Sequence, residues 1–213
     1  MYLTVRVLSP DAPGEVGALR RALTASFPGP VNEVYLRGLE SASPAVTLTR
    51  LTALSLLPPL LEKAGIPPAA VRLSRDVAGR PSLTLPEKAA PADFNLSHSA
   101  GHVACALWTG HGRVGVDIEE PVPAEKAGKL SERFFSPGEQ VMLLHLAREI
   151  GIPSAFAAVW TAKEAISKQD GRGGPLGFDA STPPLGITLQ RVFPDSTGAV
   201  LTVCWPGDGT SLE

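Results

Sequence analysis

The sequence predicts an α+β protein built from two similar halves, residues 1–111 and 112–213, with the active site in a cleft between them. Strands and helices are predicted in a similar order in each half, and the turn TGHG at 109–112 falls near the midpoint of the 213 residues. Charge also differs between the halves. The first holds ten Lys/Arg against eight Asp/Glu, and the second holds nine against thirteen. The acids of the second half therefore need an explanation.

In the first half, the alternating residues 2–8, YLTVRVL, predict a strand. Helices are predicted over 15–27 and 45–64, and Pro58-Pro59 must end or bend the second one. A loop rich in Gly, Pro and Ala follows. Further strands are predicted around 82–85 and in the runs FNLSH and HVACALW, which begin at 94 and 102.

The second half begins with a predicted strand over 113–119, followed by a short helix near 124–133. Two longer helices are predicted at 137–150 and 154–170, and Gly171 is a typical signal for the end of a helix. After the segment GRGGPLG, the alternating runs ITLQRVF and AVLTVCW are joined by PDSTG. This pattern predicts a hairpin.

Composition excludes several classes of protein. A formal net charge of −2 gives no reason to expect the basic surface of a nucleic-acid-binding protein. The apolar stretches are broken short of the roughly 20 residues of a membrane helix, and the amino terminus lacks a secretory pattern. We therefore expect a cytoplasmic monomer with no nucleic-acid or membrane partner. Cys105 and Cys204 lie in apolar alternating runs and are predicted to be reduced core residues.

The run GVDIEE at 115–120 places two acids on one side of a buried strand. Side chains alternate along a strand, so Asp117 and Glu119 share a face. Like charges at this distance raise each other's pKa unless a cation lies between them. The alternative is a strand end that runs into solvent, where Glu119, Glu120 and Pro121 only mark a turn.

The helix around VWTAKEAISKQ carries a second charged group. Trp160, Glu164 and Lys168 are spaced i, i+4, i+8 on one face, and Lys163 lies about a quarter turn away. An exposed Glu–Lys pair is a common alternative. Because Trp160 favours burial, the stripe indicates a partly buried cleft edge instead.

Two further motifs admit a structural or a functional interpretation. In SPGE at 136–139, Glu139 completes a capping box, which explains it without chemistry. In FNLSHSAGH, Ser97 and His98 stand at a strand end where hydroxyls, imidazole and backbone amides can hold phosphate, although a polar turn is the simpler reading. Arg80 is another possible phosphate contact, and a zinc site is improbable because His98 and His102 lack a third ligand.

Taken together, these residues favour phosphoryl-type chemistry. Asp117, Glu119 and Glu164 could hold a hard divalent cation, which prefers oxygen ligands. Lys168, His98 and Arg80 could neutralise the remaining phosphate charge. No GxxxxGK[ST] phosphate loop occurs in the chain.

At these residues the chain resembles the 4'-phosphopantetheinyl transferases of the Sfp type. The matching motifs occur in the family's order and span about 90 residues: GRP at 79–81, FNLSHS at 94–99, GVDIE at 115–119, RFFSPGE at 133–139 and WTAKEAISK at 160–168. The resemblance implies a pseudo-symmetric α+β fold with coenzyme A in the cleft between the halves. It also implies transfer of phosphopantetheine to a serine of an acyl or peptidyl carrier protein, with release of 3',5'-adenosine bisphosphate.

The resemblance also implies roles for individual residues. Asp117, Glu119 and Glu164 match the family's Mg²⁺ ligands, and Glu139 matches a glutamate at the active site. Lys168 matches a lysine on the pyrophosphate. Coenzyme A contacts are expected from the following residues: Arg50, Arg80, Ser97, His98, Lys163 and Lys168. Either Glu164 or Glu139, directly or through a metal-bound water, would accept the serine proton.

One departure concerns the first half, where the family carries several basic residues in and before its long helix. Here PAVTLTRLTALSLLPPLL offers only Arg50, so Arg50, Arg37 and Arg80 must suffice or coenzyme A binds more weakly. Two other classes stay open at this point. One is a metal-dependent nuclease, although no ExK occurs here. The other is a non-catalytic coenzyme-binding or carrier-docking module.

Overall fold

The computed structural model describes residues 1–7, 15–87, 89–99, 101–171, 179–193 and 198–207. The chain divides into two compact units, residues 1–113 and 114–213, and each is described by itself. The division lies two residues beyond the predicted one. A cleft between the halves stays a prediction.

Unit 1 is built on a three-stranded antiparallel sheet of order β1-β5-β4, and β2 and β3 form a separate antiparallel pair. The α-helices and the apolar faces of the strands enclose one core that includes Phe27 and Phe94. A 3₁₀ turn at Pro68–Ala70 precedes β2. The elements are β1 (Tyr2–Val7), α1 (Glu15–Ser26), α2 (Pro30–Arg37), α3 (Pro44–Ser55), α4 (Leu57–Lys63), β2 (Arg72–Arg75), β3 (Pro81–Thr84), β4 (Ala92–Ser99) and β5 (His102–Thr109).

Unit 1 departs from the sequence prediction in three places. The predicted helix over 45–64 is two helices, and the break at Leu56 immediately precedes the segment with Pro58-Pro59. Helix α2 was not predicted, and β2 lies in the predicted loop. Strand β2 is stabilised from a distance, because the buried Asn32 amide donates to Val71 O (2.9 Å) and accepts from Leu73 N (2.8 Å).

Unit 2 also has a three-stranded antiparallel sheet, of order β6-β8-β7. Strands β7 and β8 pair as the predicted hairpin, although the joining residues 194–197 lie outside the described residues, as does most of GRGGPLG. In both units the last strand is central in its sheet. The elements are β6 (Gly115–Glu119), α5 (Ala124–Phe134), α6 (Pro137–Asp170), β7 (Ile187–Val192) and β8 (Val200–Pro206).

Helix α6 is interrupted at Gly151, whose φ of 76° and ψ of 159° are not helical. We call residues 137–150 its first arm and residues 152–170 its second arm. Glu139 and Lys163 are 24 positions apart, yet their side chains are hydrogen-bonded at 2.8 Å. In a straight helix these residues would be about 36 Å apart. The arms therefore fold back on each other, in agreement with the two separate helices predicted at 137–150 and 154–170.

Both predicted core cysteines, Cys105 and Cys204, are buried and free. Burial raises the pKa of the Cys105 thiol. By length and composition alone, residues 44–63 and 137–170 are apolar enough to cross a membrane. Neither stretch is one straight helix, since the first is divided at Leu56 and the second turns back at Gly151.

The second arm of α6 packs very closely on β6 at Gly115. A Cβ at Gly115 would lie 2.0 Å from Ala165 O and 2.7 Å from Gln169 N, which are backbone atoms of the second arm. Only a residue without a side chain allows this approach. The glycine of GVDIE therefore sets the distance between the strand and the helix.

We predict that Gly115→Ala destabilises the protein by roughly 1–3 kcal/mol, because the helix backbone must move away from β6. Urea unfolding followed by circular dichroism would measure the change. Gly128→Ala in α5 is the matched control, since a Cβ there meets nothing within 4 Å. This control is expected to increase the free energy of unfolding by at most about 1 kcal/mol, because alanine has a higher helix propensity than glycine. Equal behaviour of the two variants would contradict the close-packing explanation.

Candidate active site

The buried acid of β6 is paired with a lysine from the second arm of α6. Asp117 is only 3% exposed, and its Oδ1 accepts a 2.6 Å hydrogen bond from Lys168 Nζ. The same ammonium group donates to Val116 O at 3.3 Å. Asp117 is thus inside the protein, whereas the strand ends at Glu119 and residues 119–121 are half-buried, as the alternative of a strand end expected of them. Lys168 supplies a cation beside the first of the two acids.

Glu164 lies one helical turn before Lys168 and belongs to the same electrostatic group. Burial and the negative charge of Asp117 raise the pKa of Glu164, while the charge of Lys168 opposes the increase. Asp117, Glu164 and Lys168 are thus close enough for their charges to interact strongly. The structure brings these three predicted site residues together, with Glu119 on the same strand as Asp117 and less buried.

The donor set suits a hard divalent cation in its chemistry. The three acids offer only carboxylate oxygens, which Mg²⁺ prefers. The pKa of Glu164 is raised, so its charged form is disfavoured in the protein. A further cation beside Glu164 would stabilise that charged form. Within the described residues, however, no group of three His, Cys, Asp or Glu side chains is assembled as a metal site. Coordination by all three acids stays a prediction.

Glu139 and Lys163 form a second, more deeply buried group. The capping box is confirmed, because Glu139 N donates to Ser136 Oγ and Ser136 N donates to Glu139 Oε2. The Glu139 carboxylate also accepts from Lys163 Nζ at 2.9 and 2.8 Å and from Ala180 N at 2.7 Å. Lys163 is 3% exposed and faces Glu139. Its predicted contact with a coenzyme A phosphate does not agree with this placement.

Trp160 is in an aromatic cluster that joins α5 to α6. Its ring lies 5.7 Å from Phe134 in an edge contact and 5.8 Å from Phe156 in a stacked one. Phe135 stacks on Phe156 at 5.2 Å. The RFFSPGE and WTAKEAISK motifs therefore meet in three dimensions. This cluster positions the part of the second arm that leads to Glu164.

In unit 1, β4 directs the two predicted coenzyme contacts to opposite faces. Ser97 is buried, whereas His98 is exposed and lies on the face that also carries Leu96 and Phe94. His98 and Leu96 line a cavity of about 370 Å³. Ser97 does not line this cavity, so one ligand within it can meet only His98 of the pair.

The same cavity brings together basic residues of unit 1. Its lining includes the predicted Arg50 and also Arg75, which the sequence analysis missed. The Arg75 guanidinium lies 5.5 Å from the centre of the Tyr35 ring. Burial raises the pKa of Tyr35, and the charge of Arg75 opposes this. Arg75 was missed because β2 was predicted as a loop, which left the direction of its side chain undetermined.

Arg80 has a protein partner of its own. Its guanidinium donates to both carboxylate oxygens of Asp93, at 2.8 and 2.7 Å, in a largely buried pair. Arg80 does not line the cavity with Arg50 and Arg75. Arg37 lines a different pocket, between α1 and α2. Of the three arginines considered from sequence, only Arg50 lies in the cavity with His98.

The site on β6 and α6 falls in a segment with known relatives. Residues 113–196 match the model of the 4'-phosphopantetheinyl transferase superfamily. AcpT of Salmonella typhi, a 4'-phosphopantetheinyl transferase, is 35% identical over 151 residues, which cover 64% of this chain and 73% of AcpT. The chain belongs to the 4'-phosphopantetheinyl transferase family.

Two other relatives match shorter parts of their own length. A Synechocystis protein assigned to the same class is 32% identical over 149 residues, which cover 70% of this chain and 58% of that protein. The 4'-phosphopantetheinyl transferase Sfp of Bacillus subtilis is 33% identical over 111 residues, covering 52% of this chain and 46% of Sfp. The chain thus spans about half the length of these two relatives.

We predict that Glu164 makes stability fall as pH rises. Its folded-state pKa is above the ordinary value of 4.5, so the native state binds the proton more tightly than the unfolded state. This contribution is fully present below pH 4.5 and is lost as pH rises through the folded pKa. In chelator-treated protein, Glu164→Gln should therefore become more stable than wild type as pH increases from 4 to 8. A constant difference in unfolding free energy would contradict the prediction.

Proposed function

We propose that the protein transfers 4'-phosphopantetheine from coenzyme A to a serine of an acyl or peptidyl carrier protein, releases 3',5'-adenosine bisphosphate and requires Mg²⁺. The observation that carries the proposal is the ion pair of the buried Asp117 with the partly exposed Lys168, with Glu164 beside it, inside the segment that matches the family. AcpT and Sfp are both 4'-phosphopantetheinyl transferases, which supports the same class of reaction.

The residues of unit 2 suggest how the chemistry would proceed. The serine oxygen forms a bond to the β-phosphorus while the bond from that phosphorus to the bridging oxygen breaks. Lys168 would neutralise charge on the pyrophosphate, and Asp117, Glu119 and Glu164 would hold Mg²⁺, which when bound stabilises the leaving phosphate. Glu164, which lies in this group, would accept the serine proton.

The cavity in unit 1 would take the adenosine 3'-phosphate end of coenzyme A. Arg50, Arg75 and His98 offer positive charge and hydrogen-bond donors, and Tyr35 and Leu54 offer apolar surface for a purine. The combination of cations and apolar surface supports a nucleotide rather than a bare anion. A cytoplasmic location, a monomeric state and carrier docking near the helix after Trp160 and GRGGPLG are also part of the proposal.

The first experiment tests transfer directly. An apo carrier protein incubated with the protein, coenzyme A and Mg²⁺ is expected to gain the mass of one phosphopantetheine, and a chelator should prevent this gain. Asp117→Ala should abolish it with the melting temperature still showing a folded protein. Glu149→Gln, which removes an exposed carboxylate from the same helix, is the matched control and should retain activity. Coenzyme A binding without transfer to several carriers would support the non-catalytic alternative.

The second experiment tests the cavity. Arg75→Gln is expected to raise the KM for coenzyme A by about tenfold, because a charge-assisted hydrogen bond contributes about 1.5 kcal/mol or more. The KM for 3'-dephospho-coenzyme A should stay nearly unchanged. Arg72→Gln is the matched control, since Arg72 is exposed on the same strand and outside this cavity. An equal increase for both substrates would show that Arg75 does not bind the 3'-phosphate.

A further inference from the structure

The buried pair of Glu139 and Lys163 is not explained by the proposed reaction. Glu139 is 0% exposed, and its two carboxylate oxygens accept four hydrogen bonds, from Lys163 Nζ twice, Ser136 N and Ala180 N. Accepting a proton from a carrier serine requires an oxygen that the hydroxyl can reach. This carboxylate offers its oxygens to the interior of unit 2 instead.

The position of the pair along α6 indicates what it does. Gly151, at the turn between the arms, is twelve residues from Glu139 and twelve from Lys163. Gly151 lies at the turn of the helical hairpin, and the ion pair links the two arms at the end away from this turn. The adjoining residue on the second arm is Glu164, and Lys168 follows one turn later. The pair therefore fixes the second arm where the predicted site residues begin.

Outside the aromatic cluster, small side chains make up much of the packed surface of the second arm. Five of the eleven residues from Ala155 to Ala165 are alanines, whose small side chains give shallow ridges. Directional contacts have to set how far the arm is rotated and shifted. Besides the contacts of Lys163 and Lys168, they include Thr161 Oγ1 to Thr202 Oγ1 at 2.8 Å and Cys204 Sγ to Ala165 O at 3.1 Å.

The pair also holds the chain where it returns after GRGGPLG. Ala180 N donates to Glu139, and Ser136 Oγ donates to Asp179 Oδ2 at 2.8 Å. Burial acts against ionisation of Asp179, but hydrogen bonds from Ser181 and Ser136 and the charge of Lys163 hold its pKa below the usual range. The start of α6 and residues 179–181 are thereby joined through one network.

We infer that Glu139 and Lys163 are a positioning pair: neither touches substrate, and together they hold Glu164 and Lys168 in place. This inference rests on the proposed function for its catalytic consequence. It replaces the expectations that Glu139 accepts the serine proton and that Lys163 contacts coenzyme A. Glu164 is then left as the proton acceptor of the two carboxylates considered.

A double-variant cycle tests the inference. Glu139→Gln and Lys163→Met each leave one buried charge without its partner, so each should lower both the melting temperature and kcat. The double variant removes both charges at similar volume, which is often tolerated. Its kcat should be about tenfold higher than that of Glu139→Gln. A difference of this size lies within the coupling expected for residues in contact. The exposed pair Glu125 and Lys129 is the matched control, and its Gln/Met variants should show no such coupling.

Two results of the cycle would overturn the inference. A folded double variant that remains as slow as Glu139→Gln would show that the Glu139 carboxylate itself takes part in the chemistry. A double variant whose loss of stability equals the sum of the two single losses would show that the two charges are not coupled. If the wild-type protein transfers nothing, the proposed function fails, while the melting temperatures still decide whether the pair exists.

Lysine labelling of the wild-type protein gives a second readout that needs no variant. With an acetylating reagent and peptide mass spectrometry, Lys129, whose side chain is 74% exposed, should react readily. Lys163 should resist the reagent both with and without coenzyme A, and react once urea unfolds the protein. Native reactivity of Lys163 comparable to that of Lys129, with protection by coenzyme A, would overturn the inference.

Discussion

The close contact between Gly115 of β6 and the second arm of α6 is the constraint on which the unit 2 site depends. Because Ala165 O would lie 2.0 Å from a Cβ at this position, the strand and the helix are nearer than side chains usually allow. This short distance lets Lys168 Nζ reach both Val116 O and Asp117 Oδ1. The glycine of GVDIE and the lysine of WTAKEAISK are thus two parts of one geometric arrangement.

A second constraint is the cost of charge in the interior. A buried ion pair adds little net stability, because desolvation offsets much of the attraction, but losing one partner is strongly unfavourable. Unit 2 has one fully buried pair, Glu139–Lys163, and one partly buried pair, Asp117–Lys168, and both lysines are on the second arm of α6. These ion pairs therefore contribute more to the geometry of α6 than to the stability of the protein. Each pair adds a directional contact to an arm with an alanine-rich surface.

Sequence periodicity and motifs were sufficient for the features that depend on neighbouring residues. They predicted the α+β class, the hairpin of β7 and β8, the shared face of Asp117 and Glu119 and the capping box at Ser136. They failed where a distant contact decides the structure. Strand β2 depends on Asn32, some forty residues away, and the partner of Glu139 depends on the turn at Gly151. Arg75 was missed for the first of these reasons.

The ammonium group of Lys168 has two roles that compete. In the structure it compensates Asp117, yet the proposed reaction requires positive charge at the pyrophosphate. Burial and the negative charge of Asp117 raise the pKa of Glu164, although the charge of Lys168 acts in the opposite direction. A further cation beside Asp117 would stabilise both carboxylates and reduce the hold of Asp117 on Lys168. Lys168 could then turn toward a phosphate without leaving a buried carboxylate uncompensated, which gives a physical reason why the proposed Mg²⁺ would bind before substrate.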